Sequence, residues 1–212
     1  MAVMRMTFML VLTLALARTS LACFCVLRHP QEMFCIADFV VRLEVIDMEE
    51  IYSNDVPNYS FPMEVRYTVD ISYVFKGSEK FDQADKVYLL TGGSDGTCRQ
   101  DLVVGELYVI MGYVHDGHMS FGMCDWTRRL GDLTSHQYRG LHYKYTRGCD
   151  CQIQRCFGPE CNVRSNRNDT CQWTNTNECD QNYGFCVEGP GGSCAWRQNR
   201  MRSGCLNSLS DA

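Results

Sequence analysis

All 14 cysteines of this 212-residue chain lie after residue 22, and no other feature constrains its folding as much. Six are spread thinly, at Cys23, Cys25, Cys35, Cys98, Cys124 and Cys149, and eight crowd between Cys151 and Cys205. An even number of cysteines behind a secretory start reads as a set of seven disulfides with no free thiol. Spacing alone leaves on the order of 10^5 pairings open. Zinc is the competing use of cysteine, but neither a CxxC pair nor HExxH occurs, and an oxidising compartment favours bridges.

The secretory start is residues 1–22. Met4-Arg5, an apolar run from Met6 to Ala17 and the small residues Ser20 and Ala22 fit a cleavable signal peptide. The run is too short to span a membrane. A cut after Ala22 makes Cys23 the free amino terminus, so a terminal α-amine and the adjacent carbonyl form a potential five-membered chelate for a metal ion. The formal net charge is −5 and becomes more negative once Arg5 and Arg18 leave with the signal. No overall basic field draws such a chain to nucleic acid.

The cysteine distribution divides the remainder into a region 23–149 with clear hydrophobic periodicity and a smaller region 150–212 that relies on bridges for want of a large core. In the first, Pro30 suits the opening of a helix running through Met33, Phe34 and Ile36. Strands are expected around Val41, Leu43 and Val45, then over Val65, Tyr67, Val69, Ile71 and Tyr73, at Lys86 to Thr91, at Leu107 to Gly112 and at Met119 to Met123. Asp116-Gly117 supplies a hairpin turn, and Met48 to Pro62 reads as a projecting loop. Thr134 and Gln137 have the spacing of a capping box, opening a helix expected to end near Gly148. Five strands with flanking helices suit an α+β fold built on a small closed or nearly closed barrel.

Several residues have a bland reading. His115 and His118 flank the hairpin turn and are expected to be exposed rather than metal ligands. Arg128-Arg129 and Arg197, Arg200 and Arg202 read as solvated surface, and Trp126, Trp173 and Trp196 as packing. Asn58 and Asn168 stand in Asn-x-Ser/Thr sequons and are expected to carry glycans in a secreted protein. No set of side chains reads as catalytic, so an enzyme is not expected.

The run Cys23-Phe-Cys25-Val-Leu-Arg-His-Pro-Gln-Glu-Met-Phe-Cys35, followed by Asp38-Phe-Val-Val-Arg42, resembles the mature start of the tissue inhibitors of metalloproteinases. The likeness continues through Leu133-Thr134-xx-Gln137, Gly140-Leu-x-Tyr143-x-Tyr145, Gly148-Cys-x-Cys151-x-Ile-x-x-Cys156 and Gly192-Ser-Cys194-Ala-Trp196. The resemblance implies an OB-like, netrin-like five-stranded barrel over residues 23–149 and a small disulfide-rich β domain over 150–212. It also implies the pairs Cys23–Cys98, Cys25–Cys124, Cys35–Cys149, Cys151–Cys194, Cys156–Cys161 and Cys171–Cys186. Cys179 and Cys205 exceed the family's common pattern and are expected to pair with each other.

In function, the resemblance implies a secreted, extracellular inhibitor that forms 1:1 complexes with matrix metalloproteinases and related metzincins, with extracellular matrix contacts besides. It needs no cofactor of its own: Cys23, through its amine and carbonyl, is to chelate the catalytic zinc of the protease. Phe24 is to enter the pocket beyond the scissile bond, where most relatives carry Thr. Cys25, Val26 and Leu27 extend along the cleft, and Asp95, Gly96 and Thr97 supply a second contact. The alternative is a non-inhibitory netrin-like module of extracellular assemblies, since the fold also serves proteins that block no protease.

Overall fold

The computed structural model describes residues 23–53, 61–81, 87–156, 168–174 and 178–210. The signal peptide, Asn58 and Cys161 lie outside the described residues. Helix α1 (Pro30–Ile36) opens at Pro30, whose missing N–H costs a first-turn position nothing, and His29 caps it by accepting the Gln31 backbone N–H on Nδ1 at 3.1 Å. Strands β1 (Phe39–Ile51), β2 (Glu64–Lys76), β3 (Val87–Gly92), β4 (Leu107–His115), β5 (His118–Ser120) and β6 (Thr127–Arg129) follow. They form one sheet in the order β1-β2-β3-β5-β4-β6, and β1 also pairs with β4, so five strands close into a ring.

Inside the ring lie Phe39, Val41, Leu43, Val45, Val65, Tyr67, Val69, Leu89, Tyr108 and Ile110. Its members from Phe39 to Val69 are the alternating residues of β1 and β2, and they fix the register of that pair because a one-residue slip would turn them outward. The alternation breaks at a bulge: Leu43 pairs with Ile71 and Arg42 with Tyr73, leaving Ser72 as the extra residue. The parity of β2 therefore changes, so that Val74 packs on the inner core while Tyr73, expected on the inner face, is exposed beneath the Arg42 guanidinium. The Ser72 hydroxyl accepts from Arg42 Nε at 2.9 Å and donates to the Arg42 carbonyl at 3.2 Å, supporting the bulge.

Other sequence expectations shift for local reasons. Met48 to Ile51 belong to β1 and pair with Glu64 to Tyr67, so the connection to β2 is shorter than expected. Strand β5 stops at Ser120 because the next residues form a turn in which Gly122 N–H donates to the Asp125 carboxylate at 2.8 Å. Strand β6 had no periodic signal and is set by pairing with Tyr108 to Ile110. The hairpin turn at Asp116-Gly117 has φ of 50° and 80°, the paired positive values of a type I′ turn.

Met33, Phe34, Val40, Val109, Met111, Trp126, Leu141, Tyr145 and Phe185 form a second core on the outer side of the ring. Helix α2 (Ser135–Arg139) covers it, capped at Thr134, whose Oγ1 accepts the Gln137 N–H while Gln137 Oε1 accepts the Thr134 N–H. Instead of running as one helix to Gly148, the chain continues as a π turn (Gly140–Lys144) and a 3-10 turn (Thr146–Gly148). The wider turn lets the fully buried Tyr145 ring lie against Gly140, where a Cβ would come within 2.5 Å of it.

The remaining elements are β7 (Gln152–Cys156), β8 (Thr170–Thr174), helix α3 (Cys179–Tyr183), β9 (Cys186–Glu188), β10 (Cys194–Trp196) and helix α4 (Arg200–Ser210). β7 and β8 pair in parallel, β9 and β10 antiparallel. Two buried side chains at the start of α1 fasten these elements to the ring. Gln31 donates Nε2 to the carbonyls of Gly148 (3.1 Å) and Cys186 (2.6 Å) and accepts the Cys186 N–H at 2.9 Å. His29 Nε2 lies 2.9 Å from the Asp180 carbonyl, and its ring meets Trp173 edge-on and tilts against Trp196. Arg202, read from sequence as solvated, is instead largely buried. Its Nε donates to the Asp180 carboxylate at 2.6 Å while the guanidinium sits over Trp196.

Full burial lowers the pKa of His29 from its ordinary 6.5 to about 4. With Nδ1 accepting the Gln31 N–H, the ring proton is on Nε2 and donates to Asp180. Between pH 6.5 and about 4 the unfolded chain binds the proton more readily, so stability is full above the unfolded value and falls as pH drops through this window. Denaturant unfolding with disulfides intact is expected to lose up to about 3 kcal/mol of stability from this residue between pH 7 and 4. His29→Asn should flatten that slope while lowering stability at pH 7.

Candidate functional site

Six disulfides are formed among the described residues: Cys23–Cys98, Cys25–Cys124, Cys35–Cys149, Cys151–Cys194, Cys171–Cys186 and Cys179–Cys205. Two of them make an unusual local object. Cys23 and Cys25, separated by one residue, are fastened to the loops that precede β4 and follow β5, closing sequence separations of 75 and 99 residues. In the chain-entropy account each bridge of that span contributes about 4–5 kcal/mol.

The two anchor loops are themselves held together. Met123 N–H donates to the Cys98 carbonyl at 2.9 Å, which sets the spacing of both bridges. Before Cys98 runs a 3-10 turn (Asp95–Thr97) whose Thr97 Oγ1 accepts the Ser94 N–H and donates to the Ser94 carbonyl, both at 3.0 Å. Cys98 follows in the left-handed region at φ 61°, which turns its side chain out of the chain path towards Cys23. Arg99 ties this loop to the ring by donating to Asp101 at 2.6 Å and to Glu50 of β1 at 3.1 Å. On the other side, burial raises the pKa of Asp125, whose carboxylate accepts the Gly122 N–H next to Cys124.

The bridges press the backbone of residues 23–25 onto the protein and leave the side chain between them nothing to pack against. Phe24 is 91% exposed, and Val26 and Leu27 are 56% and 44% exposed. Asp95, Gly96 and Thr97 are exposed beside them, with the Gly96 carbonyl 4.0 Å from the Cys23 sulfur. The structure thus gathers Cys23, Phe24, Cys25, Val26, Leu27, Asp95, Gly96 and Thr97 into one projecting edge. An exposed benzyl side chain on a doubly stapled backbone is unfavourable in water and suited to a pocket on another molecule.

Other candidates lie elsewhere. Asn168 is exposed in the turn before β8, and its carbonyl accepts the Cys194 N–H. His115 and His118 face each other as the exposed closing pair of the β4–β5 hairpin. Among the described residues no group of three His, Cys, Asp or Glu side chains is placed to hold a metal. Nor is any helix among them long and apolar enough to cross a membrane. Trp126 and Trp173 are buried, and Trp196 donates to the Gln172 carbonyl at 2.7 Å.

Sequence reasoning missed the residues behind the edge. Met123, Arg99 and Asp125 support it through backbone or loop contacts that no motif marks. His29 and Gln31 stood in the quoted start without any role of their own. Arg155, half-buried on β7, donates Nη1 to the Leu27 carbonyl at 3.3 Å, a contact across most of the chain length that no local signal announces.

Comparison with known proteins adds to this geometry. A family model described as "Tissue inhibitor of metalloproteinase" matches residues 21–196. The human protein named "Metalloproteinase inhibitor 2" is 33% identical over 204 residues, covering 91% of this chain and 89% of its own. Its chicken (Gallus gallus) counterpart is 32% identical over 202 residues, covering 90% and 88%. "Metalloproteinase inhibitor 3" of the shark Scyliorhinus torazame is 31% identical over 192 residues, covering 87% and 85%. These relatives are named for inhibiting proteases, not for catalysing a reaction. With the family model spanning the stapled edge, the closed ring of strands and the bridged elements after it, the chain belongs to the tissue inhibitor of metalloproteinase family.

Proposed function

We propose that this chain is a secreted inhibitor of zinc metalloproteinases, matrix metalloproteinases and related metzincins among them, acting in the extracellular space in 1:1 complexes. The observation that carries the reading is the stapled, projecting edge from Cys23 to Leu27, in a chain of this family. Processing after Ala22 frees the Cys23 amine. We read residues 23–149, with their ring of strands as an OB-like, netrin-like barrel, as the inhibitory domain, and residues 150–212 as a smaller domain braced against it.

A catalytic zinc held by three protease ligands keeps a position open for water. The Cys23 nitrogen and carbonyl oxygen take that place. Preorganisation is what makes such chelation effective, because a floppy terminus would lose much of the gain to ordering. Here both bridges fix the residue before any partner arrives. Phe24 then fills the pocket next to the zinc, and its ring buries far more apolar area there than Thr, without Thr's hydroxyl. The result is selectivity for proteases with a deep pocket. Val26 and Leu27 follow along the cleft, and Asp95, Gly96 and Thr97 touch its other side.

Three outcomes test the reading. Mass spectrometry should find Cys23 at the mature terminus, and a version with one added Ala should lose on the order of a hundredfold or more in inhibition; equal potency would exclude zinc capping by Cys23. Phe24→Thr should weaken inhibition of deep-pocket enzymes relative to shallow-pocket ones, and unchanged ratios of inhibition constants would refute the role of the ring. The amine must be unprotonated to bind, and an ordinary α-amine has a pKa near 8. Affinity should accordingly fall towards about tenfold per unit as pH drops below that value, measured where the protease itself stays folded.

A further inference from the structure

We propose that Arg155 is a positioning residue for the inhibitory edge: its guanidinium props the Leu27 carbonyl, so that the region after Cys151 sets the direction in which Val26 and Leu27 leave the stapled terminus. This rests on the inhibitory reading above and concerns a contact that lies outside the edge itself.

The segment Val26-Leu27-Arg28 is a span between two fixed points. At one end Cys25 is bridged to Cys124. At the other, His29 is fully buried, with both ring nitrogens engaged, by the Gln31 N–H and the Asp180 carbonyl. Between them the chain forms one wall of a cleft of about 140 Å³, opposite residues that include Trp126, Arg128 and Gln181. The Arg28 side chain pairs with Glu32 at 2.9 Å. The Arg155 Nη1 bond to the Leu27 carbonyl, 3.3 Å long, meets the span at its middle.

Arg155 is well placed for this. It pairs in register with Trp173 of β8, so the two side chains share one face of the β7–β8 ribbon. Trp173 is fully buried and meets the His29 ring edge-on at 5.5 Å. The same face thus supports the span at its anchor, through His29, and at its middle, through Leu27. Cys151–Cys194 and Cys171–Cys186 hold this ribbon and its neighbours, so the strut stands on a stapled base. A guanidinium donating to a carbonyl also stiffens the backbone at Leu27 without covering its side chain, which remains exposed for a partner.

The test uses the full mature chain with Arg155→Met, which keeps the length of the side chain without a donor, and Arg155→Lys, which keeps a donor. With the catalytic domain of a matrix metalloproteinase that the wild-type chain inhibits, Arg155→Met should dissociate about three- to tenfold faster, with little change in association rate. Arg155→Lys should recover most of the loss. In the free protein, Arg155→Met should speed amide hydrogen exchange over residues 26–28 while leaving exchange in the ring strands and the midpoint of thermal unfolding unchanged. A double-mutant cycle should show the effect of Arg155→Met shrinking when Leu27 is already Gly, because the strut then orients no side chain. Unchanged dissociation and exchange in Arg155→Met would overturn the proposal, as would a loss that is fully additive with Leu27→Gly. Were the wild-type chain to inhibit no metalloproteinase while exchange at 26–28 still responded, the inhibitory reading would be the part that fails, and Arg155 would be left with a structural role only.

Discussion

A single backbone hydrogen bond, Met123 N–H to the Cys98 carbonyl, fixes the distance between the loops that receive Cys23 and Cys25. On that distance depends the whole projecting edge. Two bridges one residue apart can hold a terminus rigid only if their far ends are rigid with respect to each other. The ring of strands supplies the platform, through Arg99 to Glu50 on one side and the Asp125 turn on the other. With the backbone pinned at both cysteines, the side chain between them is held out into water, which is why Phe24 stands almost wholly exposed.

The same segment is gripped from behind. Gln31 and His29 are the kind of buried polar side chains that destabilise a fold unless every partner is present. Here those partners are backbone groups at Gly148, Asp180 and Cys186, so the start of α1 is ordered by residues on both sides of Cys149. The arrangement couples the region after Cys149 to the edge at close range. It also makes the junction sensitive to acid, because a charge on His29 would sit between two tryptophans and lose the Gln31 N–H.

Local physics was readable where the chain makes its structure from neighbours. Pro30 opened a helix, Thr134 and Gln137 closed a capping box, and Asp116-Gly117 made a hairpin turn, each because the stabilising group lies within a few residues. Inner and outer faces of β1 and β2 were readable as far as the bulge at Ser72. Beyond it parity depends on which residues of β1 stand opposite, and Tyr73 emerged on the outer face. The π turn at Gly140 likewise answers to the Tyr145 ring packed against it, and β6 to the free edge of β4. Arg202 looked like solvated surface because its partner, Asp180, lies on another helix.

By itself the sequence determined that the chain is rich in paired cysteines, that its first region alternates like a sheet, and that Cys23 and Cys25 stand directly behind an apolar leading segment, since composition, period and order are properties of the string. The six bridges formed among the described residues, left open by spacing, are those expected from the resemblance and from the two extra cysteines, whereas tertiary structure alone decided that Tyr73 faces outward, that Arg202 is buried on Asp180, and that Leu27 leans on Arg155. Those outcomes depend on distances between residues far apart in the chain, which only the closure of the ring and the packing of its outer core bring within reach.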